Sequence, residues 1–162
     1  MSTNKHLEEA FAGESQANRK YLAFAKKAEQ EGYASVAKLF RATAEAETIH
    51  AHNHLNALGA VKSTLENLQE GVDGETYEFD SMYPPMLETA KNENRKDAER
   101  SFLFAMESEK VHADLYKDAI ANLNNKEDAD YYLCPICGYI EKNHTPDNCP
   151  ICKAKGSVFV KY

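Results

Sequence analysis

Four glutamates and two histidines recur in this chain at spacings that can hold metal. Glu47-x-x-His50 and Glu109-x-x-His112 each set a carboxylate and an imidazole three residues apart, which on a helix points both to one face, a turn apart. Glu14 and Glu75 each follow a glycine, in Gly13-Glu14-Ser15 and Gly74-Glu75-Thr76. Oxygen and imidazole donors suit iron or manganese better than a soft metal. With 18 Glu and 6 His in 162 residues, chance supplies about 0.7 Glu-x-x-His pairs, so a single match carries no weight. The chain has three, and the last, Glu141 to His144, reads as coincidence. Two copies in register with two repeated Gly-Glu sites do not.

A second metal site is written in the cysteines. All four fall after residue 133, as Cys134-Pro135-Ile136-Cys137 and Cys149-Pro150-Ile151-Cys152. Two such knuckles supply four thiolates in tetrahedral array, for iron or for zinc, and spacing does not choose between them. A segment this small needs its metal to fold.

Helices must position the carboxylates. Four apolar stripes of helical period run through Leu7, Phe11, Glu14, Asn18, Tyr21, Ala25, Ala28; through Val36, Phe40, Thr43, Glu47, His50, His54, Leu58; through Leu65, Leu68, Val72, Glu75, Phe79, Met82, Met86, Ala90; and through Ala98, Phe102, Ala105, Glu109, His112, Tyr116, Ala119. Ser63 and Glu66 form a capping box for the third. Pro84 and Pro85 inside it predict a kink or local break.

The glutamates sit within the stripes, where an unpaired carboxylate costs several kcal/mol to bury. No Lys or Arg shares the stripes, so metal is the better compensation. One Glu from each of two helices and Glu-x-x-His from each of two others is the set by which bundles hold two carboxylate-bridged irons. Glu78, one turn past Glu75, is either a fifth carboxylate or a solvated helix residue. Tyr21 and Tyr83, two turns beyond Glu14 and Glu75, can reach such a cluster as hydrogen-bond donors.

The chain also repeats itself. Glu14 matches Glu75 at an offset of 61, while Tyr21 and Tyr83, Glu31 and Glu93, and the two Glu-x-x-His motifs match at 62, after one inserted residue. Two helical hairpins built alike predict a mainly α chain: a four-helix bundle over residues 1–121, a polar linker over 122–130, and a small metal module over 131–162.

A net charge of −7 argues against nucleic acid as a partner. No 18-residue apolar run is present to span a membrane, and the first ten residues lack the pattern of a secretory signal, so a cytoplasmic protein is expected.

The segments Ala10 to Asn18 (AFAGESQAN) and Ala44 to His50 (AEAETIH), with the cysteine knuckles, resemble the rubrerythrin family across essentially the whole chain. The resemblance implies a ferritin-like diiron bundle followed by a rubredoxin-like Fe(Cys)4 module, and hydrogen peroxide as substrate. It implies Glu14, Glu47, Glu75, Glu78, Glu109 and His112 as iron ligands, with His50 the alternative ligand that replaces the Glu78-type carboxylate on reduction. Tyr21 and Tyr83 would supply hydrogen bonds or protons. Cys134, Cys137, Cys149 and Cys152 would hold one iron, zinc being the alternative, and pass on electrons from an external rubredoxin or reductase. Rubredoxin-like knuckles place glycine after each second cysteine, whereas Lys153 follows Cys152 here, so a lysine is expected at positive φ. Two other readings stand beside peroxidase: a ferritin-like ferroxidase, which has no use for an on-board electron carrier, and a non-catalytic protein with a zinc ribbon.

Chain geometry adds an expectation about assembly. If the twofold relating the hairpins runs across the bundle, the second helix ends roughly 33 Å from where the third begins. Gly59 to Lys62 reaches only about 14 Å when fully extended. Either residues 63–73 unwind into a crossover, or the chain forms a homodimer in which hairpins are exchanged.

Overall fold

The structure, a computed structural model, describes residues 2–126 and 128–162. It divides into two compact units, Met1–Lys62 and Ser63–Tyr162. The linker expected at 122–130 thus falls inside the second.

The first unit is a hairpin of α1 (Thr3–Gln30) and α2 (Ala34–Leu58). Its two helices meet on alanines: Ala25 and Ala28 on α1, and Ala37, Ala44 and Ala51 on α2, are all buried. Small side chains let the backbones approach closely. Asn18 adds a polar tie, its amide donating to Ala44 O at 2.7 Å and to Thr48 Oγ1 at 2.8 Å. Gly59, in left-handed conformation at φ 63°, ends α2.

The second unit opens on α3 (Thr64–Tyr77), whose capping box is formed: the Glu66 N–H donates to Ser63 Oγ, and the Ser63 N–H donates to the Glu66 carboxylate. Residues 64–73 are helical, so no unwound crossover is present. A π-helical turn, Glu78–Met82, leads into α4 (Tyr83–Asn92), and α5 (Lys96–Asn122) packs against both helices.

Two details depart from the sequence reading. Pro84 and Pro85 do not break the helix; they lie in the first turn of α4, where a missing N–H is tolerated, and the Tyr83 N–H reaches back to Glu78 O to close the π turn. Met86, on the expected stripe, is 40% exposed, while its neighbour Leu87 is buried together with Ala90, the stripe's last residue.

The remaining residues form a small module on a three-stranded antiparallel sheet, β1 (Tyr131–Leu133), β2 (Ile140–Lys142) and β3 (Val160–Lys161), in the order β2-β1-β3. Its core is Cys134, Cys137, Tyr139 and Cys149, with Phe159 edge-on to Tyr139. Ser108, the one buried polar side chain among the described residues, donates from α5 to the Cys137 carbonyl at 2.7 Å.

Candidate metal centres

Each hairpin gathers one glutamate from its first helix and a Glu-x-x-His pair from its last. In the first unit the ligand atoms of Glu14, Glu47 and His50 lie within 4.8 Å of one another, as do those of Glu75, Glu109 and His112 in the second. The geometry repeats closely. His50 Nδ1 is 2.9 Å from Glu47 Oε2 and 3.9 Å from Glu14 Oε2; His112 Nδ1 is 2.7 Å from Glu109 Oε2 and 3.6 Å from Glu75 Oε2.

Surroundings distinguish the two. The His50 side chain is 53% exposed and that of His112 only 18%. The difference comes from the cysteine module: His112 Nε2 lies 2.9 Å from the Gly138 carbonyl, on the first knuckle. The oxygen can only accept, so Nε2 carries a hydrogen, and Nδ1 is the ring atom that faces the carboxylates. A backbone acceptor of this kind fixes the tautomer a metal-binding histidine needs.

Electrostatics set the carboxylates around the second triad apart from one another. Burial, reinforced by Glu109, raises the Glu75 carboxyl to about 7. Glu78 is also raised, by burial and then by Glu109. Burial acts to raise Glu109 too, but its hydrogen bonds with His112 and Glu75 outweigh that and hold it low. For His112, burial disfavours the cation, yet the Glu109 contact prevails and raises it. Glu75 Oε2 is buried with no hydrogen-bond partner. A buried carboxylate oxygen of this kind, beside Glu109 and His112, is one that a cation would satisfy, and oxygen and imidazole donors fit iron.

Glu78 stands at the start of the π turn, outside the close triad but within the field of Glu109 and His112. Tyr83 packs on Phe102 with ring centroids 6.3 Å apart. Burial and the charges of Glu109, Glu78 and Glu75 raise its phenol, so it keeps its proton as a donor. Tyr21 sits against Phe24 and Phe40. Sequence reasoning missed Tyr116, one turn beyond His112, whose phenol is raised by burial and by Glu75 and Glu109. It also missed Ser108, whose partner is a backbone carbonyl with no side-chain signature.

The four thiols form a single cluster, with Cys134 Sγ to Cys152 Sγ at 3.6 Å and Cys137 Sγ to Cys149 Sγ at 3.4 Å, and none is in a disulfide. Backbone N–H groups of Cys152 and Ile151 draw the Cys149 thiol down despite its burial. The second knuckle turns at Lys153 with φ 64°, as the first does at Gly138 with φ 88°.

Comparison with known proteins covers both modules. The family described as Rubrerythrin matches residues 5–120, and the one described as Rubrerythrin, rubredoxin-like domain, matches residues 132–160. Rubrerythrin-2 of Clostridium acetobutylicum is 38% identical over 97% of this chain and 95% of its own length. Nigerythrin of Nitratidesulfovibrio vulgaris is 37% identical over 99% of this chain and 87% of its own. Among solved structures, mixed-valence nigerythrin aligns with all of this chain and 87% of that one, at a TM-score of 0.61 and 38% identity. No helix among the described residues is long and apolar enough to cross a membrane.

Proposed function

This chain belongs to the rubrerythrin family, and we propose that within it the protein is a peroxidase, reducing hydrogen peroxide to two waters with two electrons and two protons. Its fold is the mainly α, ferritin-like one with a rubredoxin-like module, and its cofactors are a carboxylate-bridged iron pair and one iron at four cysteines. The observation that carries the proposal is the hydrogen bond from His112 to the Gly138 carbonyl. It joins a ligand of the pair to the knuckle that holds Cys137, which an iron-storage protein or a zinc ribbon has no reason to build.

In this reading Glu14, Glu47, Glu75, Glu109 and His112 hold the iron pair, Glu78 and His50 exchange as redox-dependent ligands, and Cys134, Cys137, Cys149 and Cys152 hold the single iron. When bound, the pair supplies the two electrons that cleave the O–O bond. The carboxylates would neutralise the cations. Gly138 keeps His112 in the tautomer that ligates. Tyr83, held in its protonated form by burial and by the neighbouring carboxylates, would give the peroxide a hydrogen bond or a proton; Tyr21 is assigned the matching role on the first hairpin. An external rubredoxin or reductase refills the cysteine iron. Four cysteines gathered to hold metal rather than paired as disulfides befit the cytoplasm.

The assembly we infer is a homodimer with exchanged hairpins. Phe24, Leu39 and Ile49 are exposed on the first hairpin, and residues 64–73 stay helical, so the short connector after Leu58 cannot lengthen at their expense.

Peroxide titrated anaerobically into fully reduced protein tests the function. The expected result is rapid oxidation with two electrons consumed per peroxide and return of a red thiolate-to-iron band. A reaction no faster than that of free ferrous iron, or a strong preference for oxygen, overturns it.

A further inference from the structure

The motif Glu141-x-x-His144 repeats the spacing of the two ligand pairs but not their use. His144 is exposed and its Nδ1 meets the Lys142 carbonyl at 3.2 Å, while the Glu141 carboxylate accepts the hydroxyl of Tyr139. That phenol is no surface group. Tyr139 is 8% exposed and belongs to the same buried cluster as Cys134, Cys137 and Cys149.

Alternation along β2 gives the strand two faces. Ile140 lines a groove with Leu115 and Tyr116 of α5, and Lys142 reaches Asp118 of α5 at 2.7 Å, so both look toward that helix. Tyr139 and Glu141 turn the other way, into the module. The Tyr139 backbone is fixed there, since its carbonyl takes the Cys134 N–H at 2.8 Å and its N–H donates to the Cys137 sulfur. Its ring stands edge-on to Phe159, and its phenol lies in the field of Cys149 as well as of Glu141.

Charge makes that carboxylate stand out. Residues 131–162 contain two acids, of which Asp147 is exposed and Glu141 half-buried. Of the four lysines, Lys142 pairs with Asp118 and Lys161 with Asp130, acids that lie outside the module. A buried phenol needs one acceptor, which an amide or a backbone carbonyl supplies equally well. A carboxylate in that place sets a full negative charge at the edge of a low-dielectric core that also holds the thiolates. Reduction takes four thiolates and a ferric ion from one net negative charge to two, so a fixed negative charge beside them disfavours it.

We propose that Glu141, held at the edge of the cysteine cluster by the Tyr139 phenol, lowers the reduction potential of the cysteine iron, so that an electron received there is driven on toward the iron pair. Tyr139 is the positioning residue and Glu141 supplies the charge. One electron arrives from the external carrier, which is oxidised as the ferric ion becomes ferrous; no bond is made or broken. The inference rests on the cysteine site being redox iron, as proposed above.

Potentiometric titration of the intact, iron-loaded protein, followed at the red band, tests it. Glu141→Gln keeps an acceptor for the phenol and removes the charge. It should favour the ferrous site by about three- to tenfold, a rise in midpoint of about 30–60 mV at roughly 59 mV per tenfold for one electron. Glu141→Asp, which keeps the charge, should show less than half of that rise. Asp147→Asn removes the same formal charge from an exposed position, where water and salt screen it, and should shift the equilibrium by less than about twofold. Tyr139→Phe lets Glu141 turn into water and should raise the midpoint part of the way with the carboxylate still present, so the claim stays testable should the glutamine variant lose its iron. A midpoint unmoved by Glu141→Gln or by Tyr139→Phe, or moved as far by Glu141→Asp or Asp147→Asn, with the band intact, overturns the role of this pair alone. A wild-type protein with no red band to titrate overturns the electron-module reading with it.

Discussion

The imidazole of His112 touches both metal regions: Nδ1 lies 2.7 Å from Glu109 Oε2, and Nε2 lies 2.9 Å from the carbonyl of Gly138, the residue after Cys137. One turn earlier on α5, Ser108 donates to the carbonyl of Cys137 itself. Two successive knuckle carbonyls are therefore held by two side chains four residues apart on one helix. Ser108→Ala leaves the Cys137 carbonyl buried and unpaired, which should cost about 1–3 kcal/mol in urea unfolding. It should also slow reoxidation of the cysteine iron after a peroxide pulse without altering its spectrum. Unchanged stability and unchanged kinetics would together remove this grip from the account.

Glu47→Ala and Glu109→Ala should lose the iron pair and keep the cysteine iron, because each site binds metal with its own ligands. Metal analysis with the visible spectrum reads both. Equal loss at both sites would show that the two are one cooperative unit.

Glu75 gives the protein that lacks only the bundle metals a definite pH response. Its carboxyl rises from 4.5 to about 7 on folding, so the folded state holds a proton that the unfolded state releases earlier. Stability is then greatest below the lower value and is lost as pH climbs toward the upper one. The melting temperature should fall between about pH 5 and pH 7.5, and Glu75→Gln should flatten that fall. Added metal reverses the trend, since it needs the ionised carboxylate. A melting temperature that rises over this range contradicts the assignment.

Exchange of hairpins can be read by complementation. Chains carrying Glu14→Ala are mixed with chains carrying Glu75→Ala, unfolded and refolded together. If each iron pair takes one hairpin from each subunit, the mixed dimer contains one site with every ligand intact, and peroxide turnover returns. If each pair lies within one chain, every site keeps one defect and activity stays lost.

Much of this architecture is legible in the sequence. The repeat offset of 61 that becomes 62 between Thr76 and Tyr83 locates one extra residue, and the structure absorbs it there as the π turn Glu78–Met82. An insertion inside a helix has to become a bulge if the helix is to continue, so the arithmetic of the repeat carried the geometry. The prolines were misleading because their effect depends on the preceding turn. The stripes bring Glu14, Glu47 and His50, and Glu75, Glu109 and His112, close together, but the buried residues of α2 and α5, Ala37, Ala44, Ala51, Ser108 and Ala113, lie one position around from the stripes. A helix in a bundle buries a wide face, and the seam toward its hairpin partner is only one flank of it. Periodicity finds the face and not the seam. The positive φ at Lys153 was legible from the missing glycine alone.

The module's place on α5 has a consequence for the thread that joins them. Ser108, His112 and Asp118 reach Cys137, Gly138 and Lys142 directly, along three turns in the second half of the helix. The covalent path through 122–130 is therefore not what keeps the module seated. A single cut there should yield two polypeptides that still travel as one particle and part only on denaturation. Residues 131–162, made separately around their own iron, should in turn find their seat on a chain that ends at Asn122.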